Sequence, residues 1–285
     1  MRKNIFQILE STADFHREIA RINALFQVPH FSTASYLAGR FTAEQLVDEY
    51  LLKNWKQRRR CISTHDMREL LYIDLIIDDS QPSLSATIVF LEYVLNIVSL
   101  CTKSIEENNA VGSDHELRLI IENITSFLDT LNHEFVCFEQ EELVLVVEKK
   151  PSASAVADIV KPELSLNVFR YNHHLLKGDI ASKKMIILSF ANELEHQRKV
   201  LESLDKSVAS NLFYLLNNMN LRHNNVEKGK NHKKYVSEMT DLDIEKWYDE
   251  VYQLELLAFL LLENNKRNEL ISELKSKMED TPNDQ

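Results

Sequence analysis

Glycine is scarce in this sequence, and its scarcity excludes several enzyme classes. Only four glycines occur among 285 residues, Gly39, Gly112, Gly178 and Gly229. Nucleotide-binding loops need closely spaced glycines where the backbone approaches a phosphate, and these four are too far apart for G-x-G-x-x-G or G-x-x-x-x-G-K-[ST]. The motifs G-x-S-x-G and H-E-x-x-H are absent as well. Rossmann and P-loop enzymes, hydrolases with a nucleophile elbow and standard zinc proteases are therefore excluded.

Cysteine is also rare, and its three copies are widely spaced: Cys61, Cys101 and Cys137. No C-x-x-C occurs, so neither a disulfide framework nor a structural zinc site is expected. We expect buried, reduced thiols, as in a cytoplasmic protein.

Metal-binding patterns are incomplete. His173 and His174 are adjacent, so their side chains would diverge by about 100° on a helix. Glu193 and His196 have the spacing used in di-metal helical bundles, but such sites need a second copy of the pair, and none occurs. The sequence therefore predicts no metal site and no other cofactor.

Long apolar runs are lacking too. The most apolar stretches, near 254–262 and 186–190, are shorter than the ~18 residues that indicate a membrane span. The first residues lead into an amphipathic, charged pattern rather than the apolar segment of a signal peptide. We expect a cytoplasmic protein that makes no membrane contact.

The charge balance is acidic. Lys and Arg number 33 against 44 Asp and Glu, a formal net charge of −11. This balance argues against a surface coated uniformly for nucleic acid. It allows a local basic patch, because charges act mainly within a Debye length of ~8–10 Å.

Apolar residues recur at spacings of three and four along most of the chain, which predicts a mainly α, multi-helix bundle. Capping-box patterns begin at Thr42, Ser63 and Ser113, and Pro29, Pro82 and Pro151 interrupt the helical pattern. The predicted helices are 4–27, 41–60, 64–79, 83–108, 114–131, 162–176, 180–204, 206–222 and 241–277.

One segment predicts strands instead. Residues 134–148 are rich in Val and Phe and have a polar break at 139–142, a pattern typical of a small β-hairpin. A polar segment at 149–154 follows, and we place a boundary there. The sequence thus predicts an N-terminal helical region 1–131, a hairpin segment 132–150 and a C-terminal helical region 151–285.

The main candidate site lies at the end of the predicted helix 206–222 and the start of the polar loop after it. Arg222, His223 and Asn224, with His232 further on, combine a guanidinium, imidazoles and an amide that could hold a phosphate, move a proton and orient a substrate. RNA-binding lysines are predicted nearby: Lys228, Lys230, Lys233 and Lys234. From 222 to 234 there are five Lys or Arg and one Glu. The alternative is a helix C-cap followed by a solvated loop.

The layout of the last ~110 residues resembles a known family. Two helices (KKMIILSFANELEHQRKVL and ASNLFYLLNNMNLRHNN), a polar loop and a long closing helix are similar to the HEPN superfamily of prokaryotic abortive-infection and toxin–antitoxin systems. The resemblance implies a metal-independent RNA-cleaving site across a homodimer, carried here by Arg222, Asn224 and one histidine. The family places four to six residues between its Arg and His, whereas His223 adjoins Arg222 and nine residues separate Arg222 from His232.

A second basic segment has the family's spacing without its context. Five residues separate Arg59 from His65, and Arg58 precedes them. Trp55 and Lys56 could add a stacking surface and another cation, so this segment is a second candidate for RNA binding. The alternative is a basic helix end followed by a capped helix that carries His65 in its first turn.

Aromatic and aliphatic side chains recur at helical spacing late in the chain: Trp247, Tyr248, Tyr252, Leu256 and Phe259. They indicate a core-facing stripe or, alternatively, a dimer face. Two functional hypotheses follow. The chain is either a HEPN-like ribonuclease of a phage-defence system, or a non-catalytic helical adaptor or accessory subunit of a defence complex that contacts a protein partner.

Overall fold

The computed structural model describes residues 14–33, 36–106 and 114–279 as a mainly α, multi-helix protein, which confirms the predicted fold class. The chain divides into two compact units, Met1–Lys149 and Lys150–Gln285. The elements of the first unit are α1 Phe15–Phe26, β1 Phe31–Thr33, β2 Tyr36–Phe41, α2 Ala43–Leu46, α3 Thr64–Leu70, α4 Ile73–Asp78, α5 Leu84–Glu106, α6 Asp114–Thr130, β3 His133–Phe138 and β4 Leu143–Glu148. Those of the second unit are α7 Pro151–Ala157, α8 Pro162–Tyr171, α9 Ile180–His196, α10 Arg198–Leu204, α11 Lys206–Asn218, α12 Lys234–Ser237 and α13 Asp241–Glu279.

The predicted hairpin is present as the antiparallel pair β3 and β4, with its turn at 139–142. A two-stranded sheet is marginal alone, and helix α5 supports this one. The Asn96 side chain donates to the Val144 carbonyl at 2.8 Å and accepts from the Val144 N–H at 2.9 Å, while Glu92 accepts from the Val146 N–H at 2.8 Å. These bonds satisfy backbone groups on the free edge of β4.

Helix α5 is the centre of the first unit because its apolar residues face neighbours on several sides. Ile88, Leu91, Val94 and Val98 along it are buried. Trp55 is buried too, and its indole N–H donates to the Glu142 carbonyl in the hairpin turn at 2.9 Å. Two of the cysteines are buried as expected, but Cys137 is exposed on β3.

Several predicted helices of the first unit are shorter or more irregular than expected. The segment 41–60 contains α2, then a π-turn at 47–51 and two short 3-10 turns. A break at Tyr72, which has a left-handed φ of 55°, divides the predicted helix 64–79. The structure also adds a second small sheet, β1 with β2, that the sequence did not predict. The capping box at Thr42 and the cap at Ser63 are confirmed. The cap predicted at Ser113 and the start of helix 4–27 lie outside the described residues.

Helix α13 organises the second unit. Tyr248, Tyr252, Leu256 and Phe259 are buried, which confirms the core interpretation of that stripe, whereas Trp247 is partly exposed. The helix then continues to Glu279, and its residues from Lys266 to Met278 are exposed. Helices α7, α9, α10 and α11 pack against its buried part.

Several boundaries of the second unit differ from the predictions. The predicted helix 162–176 ends at Tyr171, and a 3-10 turn follows at 174–176. The polar segment 149–154 leads into helix α7, which Pro151 begins because its fixed φ suits the first helical position. The predicted helix 180–204 breaks at Gln197. The predicted helix 206–222 ends at Asn218, since Asn220 adopts a left-handed φ of 55°. Gly178 has a left-handed φ of 82°, and the Asp179 side chain caps the start of α9.

Candidate functional site

Arg222 is held by its own unit rather than presented to solvent. Its guanidinium forms an ion pair with Glu195 of α9 and donates to the Ala191 carbonyl at 3.1 Å. It also lies over the Phe213 ring, with 5.4 Å between the guanidinium carbon and the ring centroid. A phosphate at Arg222 would therefore have to compete with the Glu195 carboxylate.

The imidazoles predicted to act with Arg222 are not joined to it. His223 is exposed and His232 half-buried. Within residues 114–279, no described side-chain contact links either ring to Arg222. Asn224 forms a local turn, because its side-chain oxygen accepts from the backbone N–H groups of Val226 and Glu227 at 3.3 and 3.1 Å. The predicted catalytic residues are thus neighbours along the chain without a shared hydrogen-bonded arrangement.

The segment after α11 is an ordered loop built on Asn225, which is buried. The Asn225 side chain accepts from the Asn220 N–H at 2.7 Å and donates to the Asn231 carbonyl at 2.9 Å. Its carbonyl accepts from the Lys233 N–H at 2.8 Å. One buried amide therefore ties both ends of the loop together. Sequence reasoning missed this residue, although its place in a run of asparagines was visible.

We call residues 222–235 the lysine loop, although the last two of them, Lys234 and Tyr235, form the start of the short helix α12. Its predicted RNA-binding lysines are all exposed: Lys228, Lys230, Lys233 and Lys234. Lys234 also faces Glu238 at 3.7 Å, a distance at which an exposed pair interacts weakly. Tyr235 follows directly and is 70% exposed. The loop thus presents cations and an aromatic ring, and the Lys-Lys-Tyr sequence was the available signal for the ring.

The second basic segment matches the helix-end alternative in its geometry. Arg58 donates to the Cys61 carbonyl at 3.1 Å, and Arg59 is exposed with a left-handed φ of 53°. His65 lies in the first turn of α3 and faces Glu69 at 3.5 Å. Because Trp55 is buried, it offers no face on which a base could stack.

A cleft of about 650 Å³ lies between α10 and α11. Arg198 lines it and stacks over Phe213, 4.5 Å from the ring centroid. Arg198 also pairs with Glu202 at 2.8 Å and with Glu195 at 3.6 Å. Glu195 therefore bridges Arg198 and Arg222, and the two guanidinium groups share one aromatic ring beside the cleft.

A buried ionic cluster joins α8, α9 and α13. Lys183 is buried and pairs with Glu245 at 2.8 Å and Asp249 at 2.7 Å, while the Tyr171 hydroxyl donates to Asp249 at 2.9 Å. The pKa of Glu245 is lowered by a hydrogen bond from the Gly178 backbone N–H and by Lys183. This cluster is internally satisfied, so we assign it a structural role.

Glu255 is the most unusual polar residue of the second unit. It is fully buried on α13, and neither carboxylate oxygen has a hydrogen-bond partner among the described residues. Burial raises its pKa well above the ordinary glutamate value, and the positive charge of Arg222 opposes that rise. An acid within the apolar run 254–262 was the sequence signal for this residue.

Metal and membrane features are limited. Among the residues at 14–33, 36–106 and 114–279, no group of three or more His, Cys, Asp or Glu side chains is placed to hold a metal ion. One described helix, α5, is long and apolar enough to cross a membrane, with a mean hydropathy of 1.8 in its most apolar window, and 61% of that window is buried. This helix contradicts the expectation that no apolar stretch is long enough to span a membrane, but the core helices of soluble proteins meet the same criteria.

Comparisons of the chain with protein-family models, curated proteins and solved structures found no match.

Proposed function

We propose that this protein is a non-catalytic helical adaptor that binds single-stranded RNA through the lysine loop. The observation that carries the proposal is the loop itself: four exposed lysines and the exposed ring of Tyr235 stand on a backbone that Asn225 holds in place. Lysines attract the phosphates, and an aromatic face stacks bases of any identity. An ordered loop also loses less conformational freedom on binding.

The electrostatics of the chain suit a local contact. The net charge of the protein is −11, whereas residues 223–234, which follow the Glu195-paired Arg222, contain four lysines and one glutamate. At physiological salt the screening length is ~8 Å, so nearby lysines dominate the local field. Binding should therefore be weak at high salt.

Two observations favour an adaptor over a ribonuclease. Arg222 is already paired with Glu195, and the described contacts of residues 114–279 bring neither His223 nor His232 to it. General acid–base catalysis needs an imidazole within hydrogen-bond reach of the reacting group. The HEPN-like layout and a role in phage defence remain part of the proposal as its biological setting, with the adaptor as one subunit of a larger complex.

The lysine loop can be tested by binding a labelled single-stranded RNA at several salt concentrations. Changing Lys228, Lys230, Lys233 and Lys234 to Gln should reduce the slope of log affinity against log salt by about 3, at ~0.7 per phosphate contact. The matched control changes four other exposed lysines to Gln: Lys53, Lys177, Lys266 and Lys275. Because both variants have the same net charge, equal losses would show that the loop is not the binding surface.

The proposed stacking of RNA bases on Tyr235 is tested with one variant and one matched control. Tyr235→Asn should weaken RNA binding by about 1–3 kcal/mol, or roughly 5- to 150-fold, through loss of base stacking. The control is Tyr72→Asn, because Tyr72 is 67% exposed and Asn tolerates its left-handed backbone. An unchanged affinity in Tyr235→Asn would remove stacking from the proposal.

Cleavage is tested with the same RNA in the presence of EDTA. We expect intact RNA with wild type, Arg222→Ala and His223→Ala alike. Degradation by the wild type that either substitution abolishes would replace the adaptor with the ribonuclease.

A further inference from the structure

The cleft between α10 and α11 has the size and position of a small-molecule site. Its volume of about 650 Å³ falls within the ~300–1,000 Å³ of typical ligand pockets. Asn217, which lines it, lies close to the end of α11, where the chain enters the segment that leads to the lysine loop.

The polar lining follows from helix geometry. Lys206, Ser210, Tyr214 and Asn217 recur at spacings of four, four and three, so they occupy one face of α11. Arg198 and Glu202, four residues apart, line the cleft from α10. A hydroxyl, a phenol, an amide and two cations thus line one concave surface.

The groups that a ligand needs are available in this cleft. Glu202 is engaged by Arg198 at 2.8 Å, whereas Lys206 has no ion-pair partner among the described residues. The Asn217 amide is half-buried and has no hydrogen-bond partner in the described part of the chain. Tyr214 is 66% exposed. The cleft therefore combines an unpaired lysine, an unused amide and an exposed aromatic ring.

We propose that this cleft binds a nucleoside monophosphate unit. Lys206, the lining cation without an ion-pair partner among the described residues, faces the phosphate, Tyr214 stacks with the base, and the Asn217 amide pairs with polar atoms on the edge of the base. In the RNA-binding role, the unit is one nucleotide of the strand that contacts the lysine loop, and that part of the inference rests on the proposed function. The binding of a free mononucleotide does not depend on it.

The test uses AMP as the probe, titrated into the full-length protein by calorimetry, with ribose 5-phosphate and inorganic phosphate as comparison ligands. We expect AMP to bind at least about 5-fold more tightly than either, since only AMP has a base to stack. Tyr214→Ala and Asn217→Ala should each weaken AMP binding by roughly 5-fold or more, whereas Lys177→Gln should not change it. Absence of AMP binding, equal binding of ribose 5-phosphate, or full affinity in both cleft variants would overturn the proposal.

The proposal for the cleft and the proposal for the lysine loop can be refuted independently. The variant with four lysine-to-glutamine changes in the lysine loop should lose RNA affinity and keep AMP affinity, because the cleft residues are intact. RNA binding without AMP binding would reject the cleft alone, and AMP binding without RNA binding would reject the loop alone.

Discussion

Replacing the buried acid on α13 should stabilise the second unit. Glu255 is fully buried, and its carboxylate oxygens have no hydrogen-bond partner within the described residues. Burying a polar group without a partner costs about 1–3 kcal/mol in proteins. Methionine has a similar length and no such cost, so Glu255→Met should raise the free energy of unfolding by about 1–3 kcal/mol at neutral pH.

The sign of the pH dependence follows from the raised pKa. The unfolded chain releases the Glu255 proton near 4.5, whereas the folded chain keeps it to a higher pH. Stability that is present at acid pH is therefore lost as pH rises through the folded-state pKa, by up to about 1.4 kcal/mol per pH unit. The advantage of Glu255→Met should consequently grow as pH increases above the ordinary glutamate range.

The two tryptophans allow the second unit to be followed alone. Trp55 belongs to the first unit and Trp247 to the second, so urea unfolding monitored by fluorescence in a Trp55→Phe background reports the second. Glu250→Met is the control, since Glu250 is exposed on the same helix and should change stability by less than about 0.5 kcal/mol. If Glu255→Met destabilises the unit, or if wild type and variant have the same pH slope, the buried-acid argument is wrong.

Three further changes test the contacts that shape each unit, all by urea unfolding. Asn225→Ala should cost about 1–3 kcal/mol by leaving loop backbone groups unpaired, and it should also weaken RNA binding. Lys183→Met should lower the free energy of unfolding by about 2–3 kcal/mol, less than for a fully buried ion pair because Asp249 is half exposed. The variant should also lose less stability than the wild type as pH falls through the pKa of Glu245, because Lys183 helps to lower that pKa. Asn96→Ala should destabilise the first unit by about 1–3 kcal/mol, read from Trp55, because the edge of β4 loses its partner.

Most of the fold was predictable from periodic patterns in the sequence. Helices α5, α6 and α13 and the β3–β4 hairpin follow from apolar spacing and residue type, which depend on local sequence. The breaks could not be predicted in the same way. Tyr72 and Gln197 interrupt helical patterns with residues that are compatible with helix, so their conformations are set by packing rather than by propensity.

The candidate site was predictable in composition but not in arrangement. The exposed lysines follow from a polar interval between two helical patterns, and the structure bears out their exposure. The anchoring role of Asn225 depends on backbone groups at 220, 231 and 233 meeting in space. The cleft likewise forms only because α10 and α11 pack together, and the spacing of residues along one helix does not predict how two helices pack.

Arg222 shows how the same residue type supports two different chemistries. A guanidinium next to imidazoles in the sequence suggests a phosphate-binding site. In the structure, however, Arg222 forms an ion pair with Glu195, which lies 27 positions earlier on α9. Arg222 is also the charge that opposes the raised pKa of Glu255, so it interacts electrostatically with a partly exposed acid and with a buried one. Arg222 therefore holds the start of the lysine loop against the helical core. Replacing it should lower the stability of the second unit more than it lowers RNA affinity. The ammonium groups of Lys228, Lys230 and Lys233 have no ion-pair partner among the described residues, so the proposal assigns the contact with an anion to the lysines rather than to Arg222.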